Sequence, residues 1–282
     1  MPLLRQQGEP PLRGIWDQPI ESVPLVFVDL EMTGVEEHRD RVLQLCLERV
    51  VGGTLVDVLT SYLDPECAIG NTHVHGIGPE EVRGAPVFAV LAPRIRELLD
   101  GAIFIAHGAK CDIAFLKAEF ARCGVPWTPP FFIDTVPLSR RAYNFKSHRL
   151  SALAEELGID CPAAHRADND VRVLRGLFLK LTILLMPTSP RDLWNVRPGL
   201  AHARPLLVGE LTEALATGAA LRLRYRPAGR AIQEIPFHVT SLRTDLDPPM
   251  VIGYLSHTRG RRELRIDRIL SLEPVVKPGS TS

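Results

Sequence analysis

Short apolar runs alternate with helix-patterned segments along the first two thirds of the chain, and this alternation restricts the fold more than any other feature. The run Leu25–Leu30 is typical of a buried strand. Pro86–Leu99 repeats its apolar residues at helical spacing, and a second buried run follows at Ala102–Ala106. A strand, a helix and a strand in that order favour an α/β sheet.

The remaining elements follow from turn and capping signals. The Gly52-Gly53 pair separates two strand patterns and predicts a hairpin that opens the sheet. Further strands are predicted at Arg41–Val51, Thr54–Leu63 and Phe131–Ile133, and helices at Asp112–Cys123, Ser151–Leu157 and Asp168–Leu185.

The length of 282 residues predicts about two domains. A β-rich second domain is indicated by a helix at Val208–Thr217 and strands at Ala220–Tyr225, Gln233–Ser241, Met250–Ser256 and Glu263–Leu272. The expected organisation is a flexible N-terminal segment (1–22), a first domain (23–186), a Pro-rich linker (187–206), a second domain (207–276) and a tail (277–282).

Composition narrows the class of protein. With 45% hydrophobic and 23% charged residues, the chain is expected to be globular. No apolar run approaches the roughly 18 residues that cross a bilayer, and the N-terminus lacks a signal-peptide pattern. Five scattered cysteines indicate reduced thiols, which predicts a cytoplasmic protein without a membrane partner.

Net charge gives no argument for a nucleic-acid partner. The formal charge is zero, with 22 basic and 25 acidic residues in 1–206 and 11 basic and 8 acidic residues in 207–282. Neither part is strongly basic, so any such argument must come from motifs.

Asp29 and Glu31 lie two residues apart at the end of a predicted strand, so both side chains point to the same face. Two carboxylates at that separation repel each other unless a cation lies between them, which favours a metal site. A polar strand end that faces water explains the pair equally well.

Three more residues favour the metal interpretation. Asp112 follows a buried strand at the start of a helix, and His165 and Asp170 lie near the opening of the last helix. Four carboxylates and one imidazole suit a hydrolase that cleaves phosphodiesters with two metal ions. Hard oxygen ligands hold Mg²⁺ or Mn²⁺, and a histidine with a pKa near 6.5 can deprotonate water.

These residues lie in three motifs: Phe27-Val28-Asp29-Leu30-Glu31-Met32-Thr33-Gly34, Ala106-His107 through Leu116, and His165-Arg166-Ala167-Asp168-Asn169-Asp170. In order and spacing they resemble the motifs of DEDDh 3′-5′ exonucleases, the group of proofreading subunits and oligoribonucleases. The resemblance implies an RNase H-like mixed sheet flanked by helices. Lesser signatures of the same group occur at His75-Gly76-Ile77 and Lys146 through Ala154.

By position, the resemblance implies that Asp29, Glu31, Asp112 and Asp170 bind two Mg²⁺ or Mn²⁺ ions and that His165 is the general base. The products would be nucleoside 5′-monophosphates. Six residues are expected to contact the substrate: Met32, Thr33, Gly34, His75, Phe115 and Arg149.

The chain departs from the family pattern at three positions, where Gly108 replaces Asn, Cys111 replaces Phe and Gln44 replaces an acid. His107 is expected to be a hydrogen-bonding residue at a strand end, and Asp134 to cap the segment after its strand. The basic and aromatic stretch 140–149 has two explanations, contact with nucleic acid or a solvated loop.

The second domain resembles a WYL domain, a small Sm-like β-barrel, through Leu221–Arg226, Met250–Tyr254 and Leu264–Leu272, although the naming tripeptide is absent. Alternating arginines are expected to bind the phosphates of nucleic acid or of a nucleotide ligand. The candidates are Arg222, Arg224, Arg226, Arg265 and Arg268. A solvated strand or an interface in a homo-oligomer is the alternative.

The leading hypothesis is therefore a metal-dependent 3′-5′ exonuclease that acts on single-stranded 3′ ends, with DNA favoured over RNA. The alternatives are a non-catalytic regulator that binds nucleic acid or nucleotides, and a protein-interaction scaffold. Five groups that repel one another without metal argue against both alternatives.

Overall fold

A computed structural model of the chain describes residues 10–70, 72–128, 130–161, 166–194, 205–225, 227, 233–246 and 249–275. The chain divides into two compact units. The first unit comprises Met1–Val136, Ser147–Leu179 and Pro187–Asn195, and the second comprises Pro137–Lys146, Lys180–Met186 and Val196–Ser282.

The first unit is built on a five-stranded mixed sheet. Its strands are β1 (Leu25–Met32), β2 (Val42–Val51), β3 (Thr54–Tyr62), β4 (Ile103–Ala106) and β5 (Phe132–Asp134). They lie in the order β3-β2-β1-β4-β5, with β1, β2 and β3 antiparallel and with β4 and β5 parallel to β1. The predicted hairpin is confirmed, because β2 and β3 pair on either side of Gly52 and Gly53.

Helices occupy the segments between and after these strands. Up to residue 194, the described helices are α1 (Thr72–His75), α2 (Phe88–Leu99), α3 (Lys110–Arg122), α4 (Thr135–Ala142), α5 (Leu150–Leu157), α6 (Ala167–Leu185) and α7 (Pro190–Trp194). Those predicted from capping and periodicity agree with α2, α3, α5 and α6 to within about two residues. Helices α1, α4 and α7 were not predicted, and α1 and α7, with four and five residues, are too short to show a clear period.

The two faces of β1 pack against different helices. Val26, Val28 and Leu30 belong to a buried core that also holds residues of α2 and α3. On the opposite face, the ring of Phe27 contacts Phe178 of α6 edge-on, with 5.4 Å between ring centroids. Because side chains alternate along a strand, Asp29 and Glu31 lie on the same face as Phe27, the face that α6 covers.

An aromatic cluster joins both ends of the first unit. Within the predicted N-terminal segment, Ile15–Asp17 form a 3₁₀ turn, and Trp16 is buried. The Trp16 ring contacts Trp194 of α7 and Phe131 edge-on, at centroid distances of 5.8 and 6.4 Å. Helix α7 lies inside the predicted linker, so the start of that linker is packed against the first unit.

The second unit contains a five-stranded antiparallel sheet with a helix packed on it. After α8 (Pro205–Thr217) follow β6 (Ala220–Tyr225), β7 (Gln233–Arg243), β8 (Met250–Leu255), β9 (Arg261–Arg265) and β10 (Ile269–Pro274). The order is β10-β6-β7-β8-β9. Leu211, Leu223, Phe237 and Val251 are among the residues that form its core.

Two expectations about this sheet are corrected. Glu263–Leu272 was predicted as one strand, but a 3₁₀ turn at Ile266–Arg268 divides it, and the chain then returns to pair β10 with β6. A barrel was predicted from the family resemblance, but the described strands form an open order in which β9 and β10 are the edges. Among the described residues, no helix has the length and apolar character that a membrane span requires.

Candidate active site

The carboxylate pair on β1 lies where the strand ends. Asp29 pairs with Cys46 and Glu31 with Gln44 in the β1–β2 register, and a register shift follows directly after Glu31. Both acids are partly buried on the face that helix α6 covers. The spacing of two residues therefore brings both side chains to one place, as the sequence predicted.

Asp170 reaches the same place from the first turn of α6. Its N–H donates to the Arg166 carbonyl over 2.9 Å, and the Oε1 atom of buried Gln44 accepts the Ala167 N–H over 3.3 Å. Gln44 thus caps the helix from strand β2 and holds its start beside Glu31. Sequence reasoning missed this role, although a lone amide inside an apolar strand is a signal, because a buried polar group needs a partner.

The structure brings three of the predicted metal ligands into one cluster. One carboxylate oxygen from each of Asp29, Glu31 and Asp170 lies within 4.8 Å of the other two. Burial raises the pKa of Asp29 well above its ordinary range, and the charges of Asp112 and Asp170 add to the rise. Burial also raises the pKa of Glu31 to about 7, with Asp170 adding to the rise and Arg166 opposing it. The cluster holds more negative charge than its own surroundings neutralise.

Asp112 faces this cluster from the first turn of α3. It is 7% exposed, and burial raises the pKa of its carboxyl, while a hydrogen bond with the Leu30 backbone opposes the rise. The charges of Asp134 and Glu31 raise it further. Asp112 is therefore a fourth buried acid that acts electrostatically on the same site, although it lies outside the group of three.

His165, the predicted general base, lies outside the described residues. Its role therefore stays a prediction from the sequence.

The segment after β1 is held by a network of short contacts. Thr33 is buried, and its Oγ1 atom accepts the Arg41 N–H over 3.0 Å. The Asp40 carboxylate accepts the Glu36 N–H over 2.8 Å and leaves no room for a side chain on Gly34. Gly34 therefore presents only backbone groups to a ligand. Met32 packs against the core of the first unit. The predicted substrate contacts of Met32, Thr33 and Gly34 stay predictions.

Two residues expected to contact the substrate are buried instead. His75 is 4% exposed; its Nε2 atom bonds with the Gly70 carbonyl at 3.0 Å, and its Nδ1 atom accepts the Ile77 N–H at 3.0 Å. Phe115 is 1% exposed in the core. Both side chains support loops or helices from within, and their predicted contact with substrate stays a prediction. Arg149 is exposed at the start of α5.

The prediction for His107 is confirmed. Its ring nitrogens bond with Thr135 Oγ1 at 2.9 Å and the His148 carbonyl at 2.8 Å, and burial lowers its pKa. Asp134 accepts the N–H groups of Gly108 and Val136, as its predicted capping role requires. Gly108 has a φ of +85°, a region that Gly and Asn tolerate best, which explains why Gly can replace the Asn of the family here.

The aromatic residues of the 140–149 stretch are not free to stack on bases. Tyr143 and Phe145 are buried, and their rings stack on each other with 5.0 Å between centroids. Contact of that stretch with bases would require these rings to leave their own packing.

Two of the candidate arginines of the second unit, Arg222 and Arg224, lie on an exposed face of β6. Arg222 and Arg224 alternate with buried residues of β6 and lie opposite Glu273 and Glu234 on the neighbouring strands. Arg265 pairs with Met250 across β8 and β9, and the Nε atom of Arg268 is buried without a hydrogen-bond partner. Arg226 lies outside the described residues. The predicted phosphate site is thus a face of alternating charge, and its function stays a prediction.

Comparison with known proteins identifies the family. A profile described as Exonuclease matches residues 26–178, more than half of the chain. The chain belongs to the exonuclease family. The matched residues include the acidic cluster on β1 and α6, as well as Asp112.

Curated relatives of this exonuclease-family chain are longer proteins. It is 28% identical over 258 residues to a DNA polymerase III PolC-type of Caldanaerobacter subterraneus subsp. tengcongensis, which covers 87% of this chain and 18% of that protein. It is 31% identical over 160 residues to the 3′-5′ exonuclease DinG of Bacillus subtilis, covering 55% and 17%. The chain therefore spans less than a fifth of the length of these relatives.

Among solved structures, the chain is similar to E. coli Exonuclease I in complex with a dT13 oligonucleotide. The TM-score is 0.53 at 14% identity, over 91% of this chain and 67% of that one. At this identity the likeness shows the fold alone. It agrees with the mixed sheet and flanking helices of the exonuclease family.

Proposed function

We propose that this protein is a divalent-metal-dependent 3′-5′ exonuclease that releases nucleoside 5′-monophosphates. The observation that carries the proposal is the cluster of Asp29, Glu31 and Asp170, with oxygens within 4.8 Å of one another. The acidic cluster lies on a fold of the exonuclease family, and a relative of 31% identity is named as a 3′-5′ exonuclease.

The donor set fits a hard divalent cation. Its atoms are carboxylate oxygens, the ligands that Mg²⁺ and Mn²⁺ prefer, and burial makes their mutual repulsion costly without a counter-charge. Asp29, Glu31 and Asp170 would hold the cation, and Asp112 would complete the site from α3. Two such ions, when bound, activate a water and neutralise the charge of the leaving 3′-oxygen.

The residues of the chain have the remaining tasks. His165 would take the proton of the attacking water, since an imidazole of ordinary pKa accepts protons near neutral pH. Backbone groups of Met32, Thr33 and Gly34 would hold the terminal nucleotide, because Asp40 fixes that segment from behind. Placement of the terminal phosphodiester over the carboxylates accounts for cleavage one nucleotide at a time.

We propose single-stranded DNA as the preferred substrate. The sequence signature at His75-Gly76-Ile77 resembles that of proofreading subunits more than that of oligoribonucleases, and Exonuclease I, whose fold is similar, is solved with a DNA oligonucleotide. Scattered free cysteines support a cytoplasmic location.

The second unit is proposed to bind nucleic acid or a nucleotide through Arg222 and Arg224. Its strands Ala220–Tyr225, Met250–Leu255 and Ile269–Pro274 overlap the segments that resemble a WYL domain, although the described strands form an open sheet. Within this proposal, the second unit increases affinity, and the first unit performs the hydrolysis.

The competing function is a regulator that binds nucleic acid without cleaving it. The proposed test follows nucleotide release from 5′-labelled single-stranded DNA and RNA of equal sequence, with Mn²⁺ or with EDTA. We expect a ladder that shortens from the 3′ end, requires metal and disappears in Asp170→Asn. Asp168→Asn is the matched control, because Asp168 lies on the same helix turn but is exposed. Binding without cleavage by wild type and both variants would establish the regulator instead.

A further inference from the structure

Three side chains form a row that leads away from the acidic cluster. Glu31 pairs with Gln44 across β1 and β2, and Gln44 pairs with Tyr62 across β2 and β3. Strands in a sheet lie about 4.8 Å apart, so Tyr62 is roughly 10 Å from Glu31. The row therefore extends from the proposed cleavage site toward the edge of the sheet.

Arg166 stands over the far end of this row. Gln44 holds the first turn of α6 through the Ala167 N–H, and the Arg166 Cζ atom lies 5.5 Å from the centroid of the Tyr62 ring. This distance is within the range of a cation–π contact. The ring thus holds the guanidinium over Tyr62, two strands away from the carboxylates of β1.

One donor of the guanidinium lacks an acceptor. Its Nε atom is buried without a hydrogen-bond partner, and among the described residues no carboxylate lies within 4.0 Å to form an ion pair with it. Its positive charge opposes the rise in the pKa of Glu31, and it adds to the lowering of the pKa of exposed Glu81 that the Gly78 backbone hydrogen bond causes first. A buried donor without a partner calls for an explanation, and a bound anion supplies one.

We propose that Arg166 binds the phosphate on the 5′ side of the scissile one in the single-stranded substrate. The proposal rests on the proposed exonuclease function. A strand with a 3′-hydroxyl end has no phosphate beyond the scissile one, so every other phosphate lies on the 5′ side. The guanidinium lies over Tyr62, two strands away from the carboxylates of β1, which suits the neighbour of the scissile phosphate, and its planar fork of donors suits phosphate oxygens.

The experiment compares Arg166→Met with Arg172→Met. Methionine keeps an unbranched apolar stem against Tyr62 and removes only the charge and the donors. Arg172 is the matched control, because it lies on the same helix, is exposed and bonds only to Asn169 among the contacts described. Substrates carry a single uncharged methylphosphonate at successive positions 5′ to the scissile bond.

Wild type and Arg172→Met should each lose about tenfold in kcat/KM when the neighbouring phosphate is uncharged. On the natural strand, the kcat/KM of Arg166→Met should be about tenfold below that of wild type. For this variant, the modified strand should lower kcat/KM by less than a further twofold. Arg166→Lys should keep part of the penalty, since its charge remains. A penalty that stays tenfold in Arg166→Met would overturn the proposal and assign Arg166 a purely structural role.

Equilibrium binding of the same strands in Ca²⁺ separates this proposal from the exonuclease function. If wild type binds but does not cut in Mn²⁺, and the phosphate penalty in Kd still depends on Arg166, the proposed function fails and the phosphate contact stands. If wild type cuts the strand and neither assay depends on Arg166, the exonuclease function stands and the proposed phosphate contact is wrong. Neither binding nor cleavage by wild type would overturn both.

Discussion

Helix α3 carries two buried carboxylates, and their surroundings are opposite. Glu119 is 1% exposed, and its oxygens accept from Arg41 Nε at 2.8 Å, from Arg41 Nη2 at 3.1 Å and from the Val42 N–H at 3.3 Å. Arg122 lies within 3.2 Å of the same group. Asp112, two turns earlier, faces other acids, and backbone hydrogen bonds oppose the rise in its pKa.

The comparison separates a structural acid from a functional one. Burial of charge is costly in both cases, but Glu119 recovers the cost within the protein through two guanidinium groups. Among the described residues, the charges that act on Asp112 are those of other acids, Asp134 and Glu31, so a bound cation is the natural counter-charge. The charges around a buried carboxylate, more than its burial, therefore distinguish a ligand site from a structural ion pair.

The largest expected effect is on catalysis at Asp112. We expect Asp112→Asn to lower kcat by about 10³-fold or more, because a neutral amide cannot hold a metal ion as a carboxylate does. In EDTA the same change should leave the melting temperature unchanged or raise it, since it removes a repelled charge. Nucleotide-release rates and thermal unfolding measure the two effects. A variant that unfolds in EDTA would make Asp112 a structural acid like Glu119.

Glu119→Gln should show the reverse pattern. Loss of the ion pair with Arg41 should lower the free energy of unfolding by about 3 kcal/mol, because the arginine is left partly buried without its partner. The rate of the folded fraction at low temperature should stay near that of wild type. Urea unfolding gives the stability change, and Glu66→Gln is the control, since Glu66 contacts the same Arg41 from an exposed position. A large loss of rate in the folded fraction would contradict the distinction.

The pH dependence of metal-free stability should depend on the acidic cluster. The pKa of Glu31 rises from 4.5 to about 7 on folding, so its folded form keeps a proton that the unfolded chain releases. This contribution to stability is present below pH 4.5 and is lost as the pH rises through 7. Between pH 5 and 8, the free energy of unfolding of wild type should fall by about 1–2 kcal/mol more than that of Glu31→Gln, after allowance for solvent screening.

Thermal unfolding in EDTA across that pH range measures the effect, with Asp168→Asn as the control. Added Mn²⁺ should stabilise wild type more at pH 8 than at pH 5, because the ion competes with protons for the carboxylates. Equal slopes for wild type and Glu31→Gln would show that Glu31 titrates normally.

The smallest expected effect concerns Arg222 and Arg224 of the second unit, which are exposed and lie opposite glutamates, whereas Asp112 is buried and faces other acids. If Arg222 and Arg224 each contact one phosphate, the double alanine variant should reduce the slope of log K against log salt for single-stranded DNA by about 1.4. Fluorescence anisotropy at several salt concentrations measures the slope. An unchanged slope would identify this face as a solvated surface.

Several features follow from local rules and were predictable from the sequence. The hairpin of β2 and β3, the helices α2, α3, α5 and α6, and the common direction of Asp29 and Glu31 all follow from periods of two or 3.6 residues and from turn residues. The position of Asp170 beside Asp29 and Glu31 was predicted through the family motif rather than from spacing alone.

Other features failed or stayed hidden because they depend on distant contacts. His75 and Phe115 carry motif positions that were predicted to contact substrate, yet both side chains are buried in the fold. The segment Glu263–Leu272 has one continuous strand pattern, but pairing of its second half with β6 requires a turn. No local signal distinguishes these outcomes.

By itself, the sequence determined the α/β class, the family and the acidic residues of the site, because strand and helix periods and motif order are properties of the chain. Only the tertiary structure decided that Gln44 caps α6, that Glu119 has arginine partners while Asp112 faces acids, and that Arg166 lies over Tyr62. Each of these depends on groups that are far apart in sequence and meet only when the sheet and its helices pack together.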